Sequence, residues 1–342
     1  MSRPVTRPLR NLALAAAAFL VLGWAPNLFH LPLDLQFDAA LAVIYAFAIL
    51  SLVLLTGYVG QVSLCQATFL GIGAYTAAWL FNVFHAPYLL AMAGAVALSF
   101  LLGIVVGIPA LRLRGIMLAV VTLGVALVFD RYFFADHAFD WFTGGSAGWR
   151  VDGTVIARIP MDWIGHALNV YRFGLLLLLI VAVLVVNVHD SGSGRRFRAI
   201  RDSELAAATM GVDLTRYKLL AFGLAAAIAG LGGSLFPLAA GQVSPQPFNV
   251  FYSLQFAAFA VLMGVRYVPA AAIGGFFGAF VPTLLGRWHP WHLEIRYDWF
   301  QVALGALLVA QLIAAPDGVW GDLRQRVAHL LRRRAKPKVA IA

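Results

Sequence analysis

The sequence has one cysteine, Cys65, only three lysines, and few charges of any kind: Asp, Glu, Lys and Arg make up 12% of its 342 residues. A lone thiol excludes an internal disulfide and any cysteine-built zinc site. Cys65 stands inside an apolar stretch and reads as a small buried side chain. None of Lys218, Lys336 and Lys338 follows a glycine, so the chain has no loop of the kind that cradles nucleotide phosphates; Ser191-Gly-Ser-Gly194 leads into arginines instead. Neither a metal nor a cofactor is expected. The scarcity of charge excludes more still. Soluble domains are about half apolar and a quarter charged, whereas this chain is 62% hydrophobic, with a mean hydropathy of +0.85. So few charges cannot cover so much apolar surface in water. Lipid is the solvent that suits it.

What is present in abundance is long apolar runs. A helix needs about 20 residues to cross the hydrocarbon core, and runs of that kind fall at 11–29, 38–56, 64–83, 88–110, 115–134, 168–188, 218–239, 250–265, 268–286 and 298–315. The first follows Arg3, Arg7 and Arg10, as a secretion signal would, but no small-x-small cleavage site closes it, so it counts as a span. The loops then test this set independently. With the N-terminus in the cytoplasm, nineteen of the 25 Lys and Arg fall inside, among them Arg112, Arg114, Arg195, Arg196, Arg198, Arg201, Arg216, Lys218, Arg266 and seven in the tail. That bias is the orientation signal of inner-membrane proteins. It also accounts for the net charge of +10 without a nucleic-acid partner, for which no basic face interleaved with aromatics is present. The expectation is an all-α, polytopic membrane helix bundle of about ten transmembrane helices with both termini cytoplasmic. It is one domain over 1–342: a bundle over 11–315, an inside loop at 189–217 and a basic tail at 316–342 that includes an amphipathic stretch.

Glycines at Gly103 and Gly107, Gly230 and Gly233, and Gly274, Gly275 and Gly278 place small residues on one helix face, which permits close helix packing in lipid. Gly57, Gly60, Gly71 and Gly73 are denser and favour a broken or re-entrant segment. Broken helices at membrane depth often line a cavity, which makes Gln61, Ser63 and Gln66 candidates for a translocation path. A role in helix packing is the rival for all three. Gly144-x-Ser146-x-Gly148 matches a nucleophile-elbow spacing, with His137 and His166 nearby. The motif falls between helices rather than on a strand-to-helix turn, and no orienting group is evident, so no residue is assigned a catalytic role.

The inside loop reads Ser191-Gly-Ser-Gly-Arg-Arg-Phe-Arg-Ala-Ile-Arg-Asp-Ser-Glu-Leu-Ala-Ala-Ala-Thr-Met-Gly211. Ser203 can cap a helix beginning at Glu204, whose carboxylate suits the helix N-terminus, and Gly211 suits the left-handed residue that ends one. On physics alone this is either a short docking element at the membrane surface or a solvated loop with incidental helicity. Glu204, Ala206, Ala207 and Gly211 match the pattern of the "EAA" loop of ABC importer permeases. The flanking Gly194-Arg195, Ala199-Ile200-Arg201, Lys218-Leu-Leu-Ala-Phe222 and Ala229-Gly230-Leu-Gly-Gly233 resemble the branched-chain amino acid permeases in particular. So do Gly57-Tyr-Val-Gly-Gln-Val-Ser63, Arg112-Leu-Arg-Gly115, Thr143-Gly-Gly-Ser-Ala-Gly148 and Pro316-Asp-Gly318, in the expected order. Cys65-Gln66 and Met263-Gly-Val-Arg depart from the family's usual residues.

The resemblance implies a multi-pass permease of the bacterial inner membrane, carrying branched-chain amino acids or a related small polar solute. Its partners would be two ATP-binding subunits, a homologous second permease and an extracytoplasmic solute-binding protein. Arg201, Ser203, Glu204, Ala207 and Gly211 would couple it to the ATPase, and Gly144, Gly145 and Ser146 would touch the binding protein. The alternative is a secondary transporter driven by protons or sodium. Such machines carry ionisable groups within the membrane, and here only Asp130 and Arg131 come close.

Overall fold

A computed structural model of the chain describes residues 21–22, 32–113, 115–145, 148–152, 154–156, 159–161 and 163–287, with a few positions between 302 and 322. Apart from isolated positions, the expected spans at 11–29 and 298–315 lie outside the described residues, as do the tail helix and Ser146.

The other eight expected spans are all helical. They are α1 (Leu33–Leu52, prolonged by a π-helical turn Val53–Tyr58), α2 (Gln66–Phe84), α3 (Tyr88–Ala110), α4 (Ile116–Val128, prolonged by a second π turn Phe129–Phe133), α6 (Trp163–Asp190), α9 (Leu214–Ser234), α11 (Val250–Met263) and α12 (Val268–Arg287). Short helices fill the connections: α5 (Asp140–Thr143), α7 (Gly192–Asp202), α8 (Glu204–Thr209) and α10 (Phe236–Ala240).

Among the described residues, six helices are long and apolar enough to cross a membrane by length and composition, and two more, Val250–Met263 and Val268–Leu284, are apolar but shorter. The count of about ten is therefore not reproduced. The shortness of α11 has a local cause. Asn249 caps its start by accepting from the amides of Phe251 and Tyr252, and Gly264, at φ 106°, ends it after 14 residues. Fourteen residues rise about 21 Å, less than the roughly 30 Å of hydrocarbon.

Two ends of the bundle differ in chemistry. One carries α7, α8, Arg112 and Arg266; the other carries the 134–161 connection with Phe139, Trp141, Phe142 and Trp149. The all-α expectation needs one small correction at this aromatic end. Two-residue strands pair Trp149 with Val243 and Arg150 with Gln242, and Val155–Ile156 with Ile159–Pro160, all antiparallel. Pairs this short leave no period in the sequence to read.

α1 runs through the middle, and Phe47–Leu50 and Val53–Leu55 are 1% exposed or less. α9 packs against α1, α2 and α3 across the small residues singled out above. A Cβ on Gly73 would stand 2.0 Å from the Gly230 carbonyl oxygen, one on Gly233 1.8 Å from that of Leu70, and one on Gly230 2.1 Å from Ser99 Oγ. Backbones that close admit no side chain between them. The outer helices turn apolar side chains outward, with Leu101, Val105 and Ile108 on α3, Ile116, Met117 and Val120 on α4, and Ile180 and Leu184 on α6. An apolar exterior of that extent marks a lipid-facing surface.

Candidate coupling elbow and helix break

The α7–α8–α9 elbow is built by three caps in succession. Ser191 Oγ accepts from the Gly194 amide at 3.3 Å and starts α7. Ser203 Oγ accepts from the Ala206 amide at 3.2 Å and starts α8. Asp213 accepts from the Arg216 amide at 3.1 Å and starts α9. Each cap satisfies a backbone donor that has no partner within its helix. Gly211 takes φ 79° after α8, and a Cβ there would meet nothing within 4 Å. The segment holds a formed, capped helix of six residues, Glu204–Thr209. The helicity of 192–202 lies outside the sequence expectation. Its only signal is the i, i+3, i+6 stripe Gly194, Phe197 and Ile200, all buried.

The five coupling candidates separate by direction. Ala207 is buried at 1% exposure and seats the helix, while its carbonyl oxygen accepts from the Val212 amide at 3.0 Å. Glu204 turns inward: its Oε1 lies 2.7 Å from Lys218 Nζ, with the lysine side chain 2% and the glutamate 18% exposed. Arg201, in the last turn of α7, donates from Nη1 to the Gly57 carbonyl oxygen at 2.7 Å. Burial and the like charge of Arg266 hold its pKa below the usual guanidinium value, opposed by Asp202, and the group stays cationic. The outward face of α8 and the turn after it present Leu205 and Met210, 76% and 81% exposed. Lys218 is the functional partner that sequence reasoning did not supply. Its one signal is being the sole lysine outside the tail, two residues after Arg216 at the head of a helix that is apolar beyond it.

The helix break begins where α1 ends. Gly60–Cys65 is not helical, and Gly60 takes φ 79°. The Gly60 amide donates to the Thr56 carbonyl, the Gln61 amide to that of Leu55, and Thr56 Oγ1 donates to the Gln61 carbonyl at 3.0 Å. From there the chain runs back along the bundle. Its free amides are met by side chains of other helices, Leu64 N by Thr122 Oγ1 at 2.9 Å and Ala67 N by Ser253 Oγ at 3.0 Å. Ser51 Oγ lies 2.9 Å from Gln66 Oε1 as a donor. Ser51 precedes Tyr58 by seven residues, so α2 starts about 10 Å inside the level at which α1 ends. The interruption expected from the glycines is therefore present at depth.

Ser63 and Gln66 are fully buried and bond each other, Gln66 Nε2 donating to Ser63 Oγ at 3.4 Å, with Cys65 Sγ 3.2 Å from the same hydroxyl. For these two the helix-packing role has the stronger support. Gln61 differs. It is 5% exposed, and neither its side-chain oxygen nor its nitrogen has a partner among the described residues.

At the aromatic end Gly144 and Gly145 take φ 77° and 67°. Gly145 lines a cavity of about 490 Å³ with Asp130, Arg131, His137, Asp140, Gln246 and Asn249. His137 Nδ1 is 3.2 Å from Asp140 Oδ2, a carboxylate that stands beside Gly145, but the two side chains are 87% and 47% exposed. A solvated pair of that kind is not the dry, positioned base that acyl transfer needs.

Residues 37–312 match the family model for the permease component of branched-chain amino acid transport systems. The chain is 28% identical to the high-affinity branched-chain amino acid transport system permease protein LivM of Salmonella typhimurium strain LT2, over 82% of this chain and 68% of that protein. It is 26% identical to LivM of Escherichia coli K12, over 91% and 75%. It is also 25% identical to a probable branched-chain amino acid transport permease protein, LivH, of Methanocaldococcus jannaschii, over 78% and 85%. No solved structure matches the chain. The capped elbow, the helix break and the apolar bundle sit within the matched range, in a family whose members are transport components and not enzymes, and the chain belongs to that branched-chain amino acid transport permease family.

Proposed function

We propose that the chain is the translocating subunit of an ATP-driven importer of the bacterial inner membrane, with about ten spans and both termini cytoplasmic. Its solute is a branched-chain amino acid or a related small polar molecule. Two ATP-binding subunits drive it, a homologous permease pairs with it, and an extracytoplasmic binding protein delivers solute at the aromatic end, against Gly144, Gly145 and Ser146. The path passes the helix break beside Gln61.

The observation that carries this is α8. It is a separate capped helix on the basic end, braced from within by Glu204 and Lys218, with Leu205 and Met210 standing in the open. Two large apolar side chains on a polar elbow suit a groove on a partner protein. The ion-coupled alternative lacks a comparable feature. Within the six long spans every described Asp, Glu, His, Lys and Arg lies within five residues of an end: Asp38, Asp130, Arg131, Arg172, His189, Asp190, Arg216 and Lys218. Asp38 is buried at 6% exposure in the second turn of α1. A proton or sodium relay needs such groups near the middle.

The test is affinity purification of the tagged chain from its native membrane. Two ATP-binding subunits and a second permease are expected to come with it, and the double variant Leu205→Asp with Met210→Asp is expected to lose the ATP-binding subunits while keeping the second permease. A wild-type chain that purifies without ATP-binding subunits contradicts the proposal.

A further inference from the structure

Three segments from distant parts of the sequence meet at the basic end of the bundle. Arg201, at the end of α7, reaches the terminus of α1 and donates to the Gly57 carbonyl oxygen at 2.7 Å. A Cβ on Gly60 would lie 2.9 Å from Arg201 Cγ and 3.4 Å from its Cβ, so the turn that starts the break rests on the stem of the same arginine. Gly57 also abuts the turn between α11 and α12, since a Cβ on it would stand 2.1 Å from the Val265 carbonyl oxygen. Arg266, the next residue, lies close enough to act on the charge of Arg201.

We infer that Arg201 is a positioning residue that ties the coupling elbow to the helix break, so that a displacement of α7 and α8 moves the segment carrying Gln61. The inference rests on the importer proposed above and assigns Arg201 a partner inside this chain rather than on the ATPase. A charge-assisted hydrogen bond to a backbone carbonyl is directional and holds that carbonyl whatever side chain sits there. Gly57 lies in the π-helical turn Val53–Tyr58. Such turns are wider than an α-helical turn and recur at functional sites. Directly beyond it stands Gln61, a buried amide whose donor and acceptor both lack partners among the described residues. Buried groups of that kind are costly, and each one in a native structure calls for an explanation, which a passing solute or a second state of the protein would supply here. Around the tie the structure is held firmly: Glu204 on Lys218 fixes α8 to α9, and Arg198 Nη1, 3.1 Å from His189 Nε2, fixes α7 to the end of α6. With the elbow braced on two helices, Arg201 is its bond to a third element, the one that is broken.

The experiment is reconstitution of the complete assembly in proteoliposomes, with uptake of L-leucine and hydrolysis of ATP measured on the same sample. Arg201→Ala is expected to keep the ATP-binding subunits and at least half of the wild-type hydrolysis, while leucine carried per ATP falls at least tenfold. Arg201→Lys, which restores one donor on a different stem, is expected to fall between the two. An Arg201→Ala ratio within twofold of wild type overturns the inference, as does loss of the ATP-binding subunits, which would make Arg201 a partner contact. If the alanine variant is not recovered from the membrane, the lysine variant decides: a ratio about threefold below wild type with hydrolysis retained supports the tie, and a wild-type ratio refutes it. A wild-type assembly that shows no ATP-dependent uptake of any solute sinks the importer proposal itself, separately from the role of Arg201.

Discussion

Lys218 Nζ sits 2.7 Å from Glu204 Oε1, and the two partners do not share the burden equally, because the lysine side chain is 2% and the glutamate 18% exposed. Taking away one member of a buried pair strands the other, at a cost of about 3–5 kcal/mol when the stranded charge stays dry. Glu204→Gln strands the ammonium in the core. Lys218→Met strands a carboxylate that can turn to solvent. Thermal unfolding in lipid nanodiscs is therefore expected to show the larger loss for Glu204→Gln, with Glu204→Gln and Lys218→Met together recovering part of it. A larger loss for Lys218→Met contradicts this geometry. The pair also marks where local reading ends. Ser203 and Gly211 are legible in the sequence because a cap and a left-handed terminus are decided by the residue itself. The partner of Glu204 stands fourteen positions later, beyond a turn, and no periodic spacing connects the two. Gln61, Ser63 and Gln66 were legible as a polar group but not as separate roles, since only the fold decides that Ser51 answers Gln66 while the amide of Gln61 stays unanswered.

Helices rather than residues set the next level. The crossing of α2 and α9 depends on backbone contact, with the Gly73 Cα facing the Gly230 carbonyl. Gly73→Ala forces a methyl group into about 2 Å, so the helices must part, and a drop in melting temperature with reduced membrane abundance is expected. Gly124→Ala on α4 supplies the control. A Cβ there meets nothing within 4 Å, and alanine is the better helix former by up to about 1 kcal/mol, so an unchanged or slightly raised melting temperature is expected. Equal destabilisation by both changes would show that the crossing is not the cause. The apolar runs revealed eight of the described helices, because lipid demands long uninterrupted segments. They did not reveal α7, whose four arginines and two glycines mask a three-residue apolar stripe, nor the early end of α11, which a single cap and a single glycine impose.

Across the whole molecule, the described helices alternate between a basic and an aromatic end, and the Asp, Glu, His, Lys and Arg residues described in the long spans keep to the ends of those spans. This distribution supports the proposal that free energy enters at a surface rather than along the membrane interior. In the proposed importer, a displacement of α8 would be passed to α9 through Glu204 and Lys218, and to the break through Arg201 and Gly57. The overall class was legible because composition alone selects lipid as the solvent. The proposed route of force was not, since its link to the break joins residues 144 positions apart and its link to α9 crosses a turn. The most direct test is L-leucine uptake by proteoliposomes holding the complete assembly, its ATP-binding subunits and its solute-binding protein. Accumulation is expected with ATP inside the compartment that α8 faces, and it is expected to persist after proton and sodium gradients have been collapsed with ionophores. Accumulation by the permease chains alone, driven by an imposed proton or sodium gradient, would contradict the account.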